Sequence, residues 1–374
     1  MEPRRLTSLD ALRGIAALSI VFWHWQHFFA IDGDWMEGWS RDQQPLFWLF
    51  KPLYLQGWAA VDLFFVLSGF VFFWLYGAAI REARLGAWRF ALLRFSRLYP
   101  LHLALLLAVA AMQYAFWQQN GAFFIYDAND APHFLAQLFL VQNWYPLAPQ
   151  SFDGPAWSVS LECLLYAVFF VACRLGVRAG WRALLLALMG VPLLWLDEHI
   201  ARGVIGFFMG GVMVACWQAL REHARARAIS RGLTTAAIAG WLTLAALLYL
   251  DSPLLAGGEG NVGFLLVFDL LLCPLTVLSL AMRERGQKRR PWLGFLGDIS
   301  YATYLIHFPL QLALALVANR YDLEPQFFMQ GWVLAAFYVV LIGLGALSYN
   351  FLERPLQTFL RNAFYAKPAI VERG

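Results

Sequence analysis

The side chains that could do chemistry in this sequence are few, and they stand out because their surroundings are apolar. His24 (VFWHW), Asp62 (AAVDLFF), Glu162 (WSVSLEC), Asp269 (LVFDLL) and His307 (YLIHFP) each interrupt a run of aliphatic and aromatic residues. An ionisable group in hydrocarbon is costly and faces a partner or a wet cavity, so each is a functional candidate. A histidine beside a carboxylate in poorly solvated space suits general-base catalysis, because the carboxylate raises imidazole basicity and fixes its tautomer. Counted at about 1.5 Å per residue from the outer ends of the apolar runs, His24, Asp62, Glu162 and Asp269 share a layer about 8 to 10 Å deep. His307 falls nearer the middle. His24 is therefore the expected base, with Glu162 or Asp62 orienting its ring.

A second group is cationic. Arg13 precedes His24 by eleven residues, three helical turns, so both project from one helix face about 16 Å apart, with Asp10 near that face. Arg94 and Arg97 (RFSRLYP) stand just before another apolar run, whose start is marked by Pro100. Guanidinium groups gathered at one end of such a bundle could hold phosphates.

The elements that must position these groups are membrane spans. Of 374 residues, 61% are hydrophobic and 14% charged, and the apolar residues come in blocks of about twenty, enough to cross a bilayer as helices. Ten spans are expected, at 10–31, 57–77, 99–118, 157–174, 181–196, 203–219, 233–250, 262–282, 299–318 and 331–352, which makes an all-α polytopic protein. The first is read as an uncleaved span led in by Arg4 and Arg5. Lys and Arg concentrate on the side of the N-terminus, and only Arg41, Lys51, Arg202 and Arg320 fall to the other side, where Asp32, Asp34, Glu37, Asp42, Asp127, Asp130 and Asp153 lie. The positive-inside rule then puts both termini in the cytoplasm.

Two connections are longer than the topology needs. Residues 78–98 interleave arginines with Trp88, Phe90, Leu92 and Leu93, the pattern of an interfacial amphipathic helix. Residues 119–156 carry polar and aromatic groups around an apolar run at 134–141, a partial or re-entrant helix that would be either an acceptor site or a structural lid. No linker or repeat divides residues 1–374, so one membrane domain is expected. The cysteines Cys163, Cys173, Cys216 and Cys273 lie in apolar blocks and read as small hydrophobes, and Gly206 and Gly210 (GFFMG) read as helix packing. No Walker A loop, GxSxG elbow, CxxC pair or HExxH occurs, so nucleotide hydrolysis, a serine nucleophile and zinc catalysis have no support, and no metal or nucleic acid is expected.

In this order the segments resemble the acyltransferase 3 family, membrane proteins that acylate sugars and other hydroxyl-bearing acceptors. The resemblance rests on SLDALRGIAALSIVFWH (8–24), GWAAVDLFFVLSGFV (57–71), RFSRLYP (94–100), LFLVQNW (138–144), PAWSVSLECLLY (155–166), ISYATYLIHFP (299–309) and FLERP (351–355). It implies that His24 is the essential histidine, Arg13 the arginine of the LRG motif, Arg94 and Arg97 the pair associated with the donor, and Glu162 the acidic position. Cys163 replaces the second acid of that motif, His102 stands where an aromatic residue is usual, and Ala60 where glycine is common. Asp10, Ser68, Trp157, Ser160, Tyr166, Tyr304, His307 and Glu353 form the supporting set.

The implied activity is transfer of an acyl group, foremost acetyl, from cytoplasmic acyl-CoA as co-substrate to a hydroxyl of a sugar, glycolipid or polysaccharide precursor. The setting is the bacterial inner membrane, and the resemblance is to the stand-alone form without an esterase-like domain. The rival reading is a transporter or flippase using the buried His, Asp and Glu residues as a proton relay.

Overall fold

A computed structural model describes residues 6–31, 34–284 and 291–365. Arg4, Arg5 and Asp32 lie outside the described residues. Helix α1 (Thr7–His24) continues as a 3-10 turn, Trp25–Phe29, into a two-residue hairpin that pairs β1 (Ala30–Ile31) with β2 (Asp34–Trp35). Helices α2 (Phe47–Gln56), α3 (Ala60–Leu75) and α4 (Gly77–Arg81) return towards the starting end. Next come α5 (Ala87–Asn120), the short α6 (Ala131–Leu138), α7 (Trp157–Arg174), α8 (Trp181–Gly190), α9 (Glu198–Arg221) and α10 (Ala226–Tyr249). The chain ends with α11 (Val262–Val267), α12 (Cys273–Arg283), α13 (Pro291–Arg320), α14 (Gly331–Ser348) and α15 (Arg354–Tyr365).

The protein is an all-α, multi-pass membrane protein. Among the described residues eight helical stretches are long and apolar enough to cross a bilayer: Phe47–Leu75, Ala87–Asn120, Gly154–Arg174, Glu198–Arg221, Ala226–Tyr249, Val262–Arg283, Gly294–Arg320 and Gly331–Phe364. Two of the ten expected spans are not in that set. The span expected at 10–31 corresponds to α1, whose Asp10, Arg13 and His24 dilute its apolar character; the span expected at 181–196 is a shorter helix, Trp181–Trp195, ending in a 3-10 turn.

Two parallel seams form the middle of the bundle. Helix α1 packs along α13, and a Cβ on Gly14 would come 2.5 Å from the Leu296 carbonyl oxygen, while one on Gly297 would come 2.5 Å from Asp10 Cβ. Helix α3 packs as tightly along α9. A Cβ on Gly69 would come 1.7 Å from the Phe207 carbonyl oxygen, and one on Gly210 would come 2.3 Å from that of Val66. Small residues let backbones approach, which is how helices associate where lipid offers no hydrophobic drive. The GFFMG segment is therefore a packing surface, and all four cysteines are free.

Residues 78–98 do not form a separate interfacial helix. From Ala87 they belong to α5, which runs 34 residues through Pro100 and is about 50 Å long, so its first turns reach beyond a hydrocarbon core. Pro100 is inside the helix rather than at its start. It removes one backbone donor, and the tyrosine hydroxyl of Tyr301 donates to the nearby Leu98 carbonyl at 2.6 Å. Residues 134–138 form the second half of α6, which Asp130 caps and which is pinned where the His102 ring meets the Gln137 carbonyl at 2.8 Å.

Candidate active site: a cavity that leads to a histidine pair

Three helices turn complementary stripes towards one another. On α3 the stripe is Val61, Phe64, Phe65, Ser68, Val71 and Phe72; on α7 it is Ser158, Glu162 and Tyr166; on α13 it is Ser300, Tyr301 and Tyr304. Spacings of three and four residues keep each set on one face. With α1 and α5 they enclose a narrow cavity of about 100 Å³, and a vestibule of about 580 Å³ lies at its arginine-rich end. Leu9, Asp10, Arg13, Val71, Arg97 and Tyr301 line both, so the two spaces adjoin across a common wall.

The three arginines named from sequence meet here. Arg13 donates from Nε to Ser300 Oγ at 2.8 Å and from Nη2 to the Gly297 carbonyl at 2.6 Å, with Asp10 Oδ1 at 3.8 Å. Arg94 donates to the Tyr76 hydroxyl at 2.9 Å and lies over the rings of Phe72 and Tyr76. Arg97 sits at the neck between the two spaces, electrostatically close to Glu162, Tyr166, Tyr76 and Glu353; among the described residues it has no hydrogen bond or ion pair. Glu353 borders the vestibule and accepts from Ser348 Oγ at 3.1 Å.

Deeper in, Ser68 Oγ donates to Glu162 at 2.5 Å, and Tyr166 lines the same stretch of the cavity. The far wall is Tyr304. Its hydroxyl donates to the Pro155 carbonyl at 2.7 Å and meets Ser158 Oγ at 2.7 Å, joining α13 to α7.

One helical turn beyond that wall stands a histidine pair. His24 Nδ1 and His307 Nε2 are 3.0 Å apart, and His307 Nδ1 contacts the Tyr304 carbonyl oxygen. Gln311, one turn further along α13, donates to the His24 carbonyl at 2.9 Å and contacts His27 Nδ1 at 3.1 Å through its amide oxygen. His27 and Gln311 were not among the residues expected from sequence, although they follow His24 and His307 by three and four positions, on the same helix faces.

The expected partners of His24 are elsewhere. Asp62 projects roughly 120° around α3 from Ser68, away from the cavity and into the α9 seam, where it pairs with Arg202 at 2.9 Å. Arg202 also stacks on Trp58 and reaches Trp157, and Asp269 adjoins the pair from a π-turn, Phe268–Leu272. Arg202 is therefore a buried cation of α9, 1% exposed, and not the loop residue its sequence position suggested, because α9 begins at Glu198. Glu162 accepts from Ser68, and the ring nitrogen of His24 meets His307 instead. Shared depth did not mean contact. Trp157 and Ser160 also stand off the cavity: Trp157 packs on His199 and Phe65, and Ser160 accepts from the Asn143 amide at 3.2 Å and donates to the Leu140 carbonyl at 3.0 Å, tying the 119–156 connection to α7.

One more buried acid lies just before the α7 span. Asp153 is 1% exposed, among the described residues neither carboxylate oxygen has a hydrogen-bond partner, and burial pushes its carboxyl up to about 8.

The fold and site define a multi-pass membrane protein with an arginine-mouthed cavity that Tyr304 closes one helical turn short of a histidine pair. Residues 6–349 match the family model described as an acyltransferase domain, and the chain belongs to that family. It is 34% identical over 184 residues to "Acyltransferase MdmB" of Streptomyces mycarofaciens, covering 47% of this chain and 41% of that protein. It is 31% identical over 196 residues to "Protein 2 in picA locus" of Rhizobium radiobacter, covering 50% and 90% respectively. It is 24% identical over 394 residues to "O-acetyltransferase OatA" of Staphylococcus aureus, covering 95% of this chain and 58% of that one. No solved structure matches the chain.

Proposed function

We propose that this chain is a membrane-embedded O-acyltransferase that moves an acyl group, foremost acetyl, from acyl-CoA to a hydroxyl of a sugar, glycolipid or polysaccharide precursor. The observation that carries this reading is the adjacency of the vestibule at Arg13, Arg94 and Arg97 to a narrow cavity that stops at Tyr304, one helical turn before the His307 ring that meets His24. The names of two relatives, an acyltransferase and an O-acetyltransferase, agree with it.

In this mechanism the donor's phosphates rest in the vestibule, where Arg97 supplies an uncommitted guanidinium and Arg13 and Arg94 flank it. The thioester arm lies along the cavity towards Tyr304. A shift of the Tyr304 side chain, which forms the far wall, opens the way to His24. The acceptor hydroxyl gives its proton to His24 as its oxygen attacks the thioester carbonyl; the carbon–sulfur bond breaks, and the departing thiolate takes the proton back from the imidazolium. Glu162, held by Ser68, faces the arm rather than the base and sets the polarity of the cavity at its narrow end. With 24 of the 28 Lys and Arg residues towards the side of the N-terminus, the vestibule opens to the cytoplasm of a bacterial inner membrane, and residues 1–374 act as one domain.

The test is acetyl-CoA consumption by the protein in proteoliposomes, followed as free thiol released with a glycan acceptor present. His24→Ala is expected to stop release while thermal unfolding stays that of the parent. Full activity in that variant removes His24 from the reaction, and acceptor flux without any thiol release replaces the enzyme with a transporter.

A further inference from the structure

We infer that His307 is a positioning residue that fixes the tautomer of His24, placing the proton on Nδ1 and leaving Nε2 as the nitrogen that acts as base. The inference follows from which atoms can donate. A peptide carbonyl offers only lone pairs, so the His307 Nδ1 that contacts the Tyr304 carbonyl oxygen carries a hydrogen. A neutral imidazole has one N–H, so His307 Nε2 is then an acceptor. The atom facing it at 3.0 Å is His24 Nδ1, which must donate. The single proton of a neutral His24 is thereby spent on Nδ1, and Nε2 keeps its lone pair.

Charge does not offer an easy way around this chain. His307 is 0% exposed, and among the described residues no carboxylate touches either ring, so an imidazolium at His307 would sit in apolar surroundings without a counter-ion. Gln311 adds a mechanical constraint. Its amide nitrogen donates to the His24 carbonyl, at the point where α1 gives way to a 3-10 turn, and its amide oxygen faces His27 Nδ1. Both ends of the amide are committed, so the end of α1 is held at a fixed height on α13. The arrangement has the logic of a catalytic triad in which a second histidine replaces the carboxylate and a backbone carbonyl anchors it.

The catalytic consequence rests on the acyl-transfer reading; the tautomer itself does not. The full chain is labelled with 15N-histidine, reconstituted in nanodiscs without substrate, and its imidazole signals are compared with those of His24→Ala to assign His24. The expected result is an N–H at Nδ1 and a bare Nε2 in the parent, with a mixed tautomer in His307→Phe. A hydrogen on Nε2 in the parent, or an unchanged tautomer in His307→Phe, overturns the inference and leaves the acyl-transfer reading standing. Kinetics give the second readout. His307→Phe is expected to lower kcat by about 10²–10⁴-fold with the KM for acetyl-CoA unchanged, and His307→Gln, whose amide oxygen can accept from Nδ1, recovers part of it. Equal loss in both variants, or a loss confined to KM, counts against a positioning role.

Discussion

The α1–α13 and α3–α9 seams are built alike and used differently. Each joins two parallel helices through glycines whose replacement would drive a Cβ into the opposing backbone, and each carries ionisable groups along the contact. In the α3–α9 seam those groups close on one another: Asp62 and Arg202 form an ion pair, Trp58 and Trp157 cover the guanidinium, and Asp269 completes the cluster away from the cavity. In the α1–α13 seam they close onto backbone carbonyls, hydroxyls and each other's rings, and the first of them, Arg13, also lines open space. The difference teaches that a charge inside the membrane is a functional signal only when its neighbours leave it something to do. An ion pair shut inside a packed seam marks a structural lock.

The sharpest way to break this contrast is at Arg202. Arg202→Met leaves Asp62 and Asp269 buried together without their cation, and should cost about 3–5 kcal/mol of stability, seen as a large fall in the detergent unfolding temperature. A variant that melts like the parent would end the structural assignment of that seam. Next in size, Arg97→Gln should weaken acetyl-CoA binding by about 10- to 100-fold, the value of one or two charge-assisted hydrogen bonds, while the unfolding temperature of the unliganded protein holds. Calorimetric titration measures it, and unchanged affinity would take Arg97 out of the donor site.

A smaller effect compares the seams through their glycines. Gly69→Ala and Gly297→Ala should each cost about 1–3 kcal/mol by overpacking, but only the second, by displacing Asp10 and with it Arg13, should also raise the KM for acetyl-CoA. Equal kinetics in the two variants would blur the distinction. A separate test uses Asp153, which belongs to neither seam. Its carboxyl, with an ordinary value of 3.8, is raised to about 8 in the folded protein, so between those limits the unfolded chain has released a proton that the folded one keeps. Stability therefore falls as pH rises from about 4 to about 8, and Asp153→Asn should flatten that slope, with parent and variant converging near pH 4. Unfolding temperatures across that range measure it; parallel curves would show that the buried acid does not titrate with unfolding.

How much of this was legible in the sequence follows from what each signal encodes. Apolar blocks report length and hydropathy, so a helix was expected where each of α3, α5, α7 and α9 to α14 lies, but α5 begins at Ala87 and α13 at Pro291, ahead of the apolar runs from 99 and 299. The motif-bearing arginines fell together because they sit near the same ends of their spans. Partners were harder. Depth along a helix says nothing of azimuth, which is why Asp62, in the same layer as His24, turned out to face α9. His307 looked too deep to be a partner because its depth was measured from the end of its own span. Helix α13 runs on to Arg320, whereas α1 stops at His24, so the two ends do not mark one plane; Arg13 against Ser300 and His24 against His307 give the actual register. Arg202 was misread for a related reason, since its charge broke the hydropathy signal one turn after the helix had begun.

The pairing of α1 with α13 also bears on how the chain is made. Ser300 and the Gly297 carbonyl, which satisfy Arg13, lie 287 and 284 positions downstream, and the ring that meets His24 lies 283 positions on. At about 5–20 residues per second, the ribosome needs roughly 15 to 60 seconds to supply them. During that interval the first helix, the one whose charges keep it from qualifying as an apolar span, must be sheltered by the insertion machinery or wait at the lipid surface. Assembly of the histidine pair is thus a late, post-insertional event, and truncated chains that stop before the ninth expected span should be preferred substrates of membrane quality-control proteases.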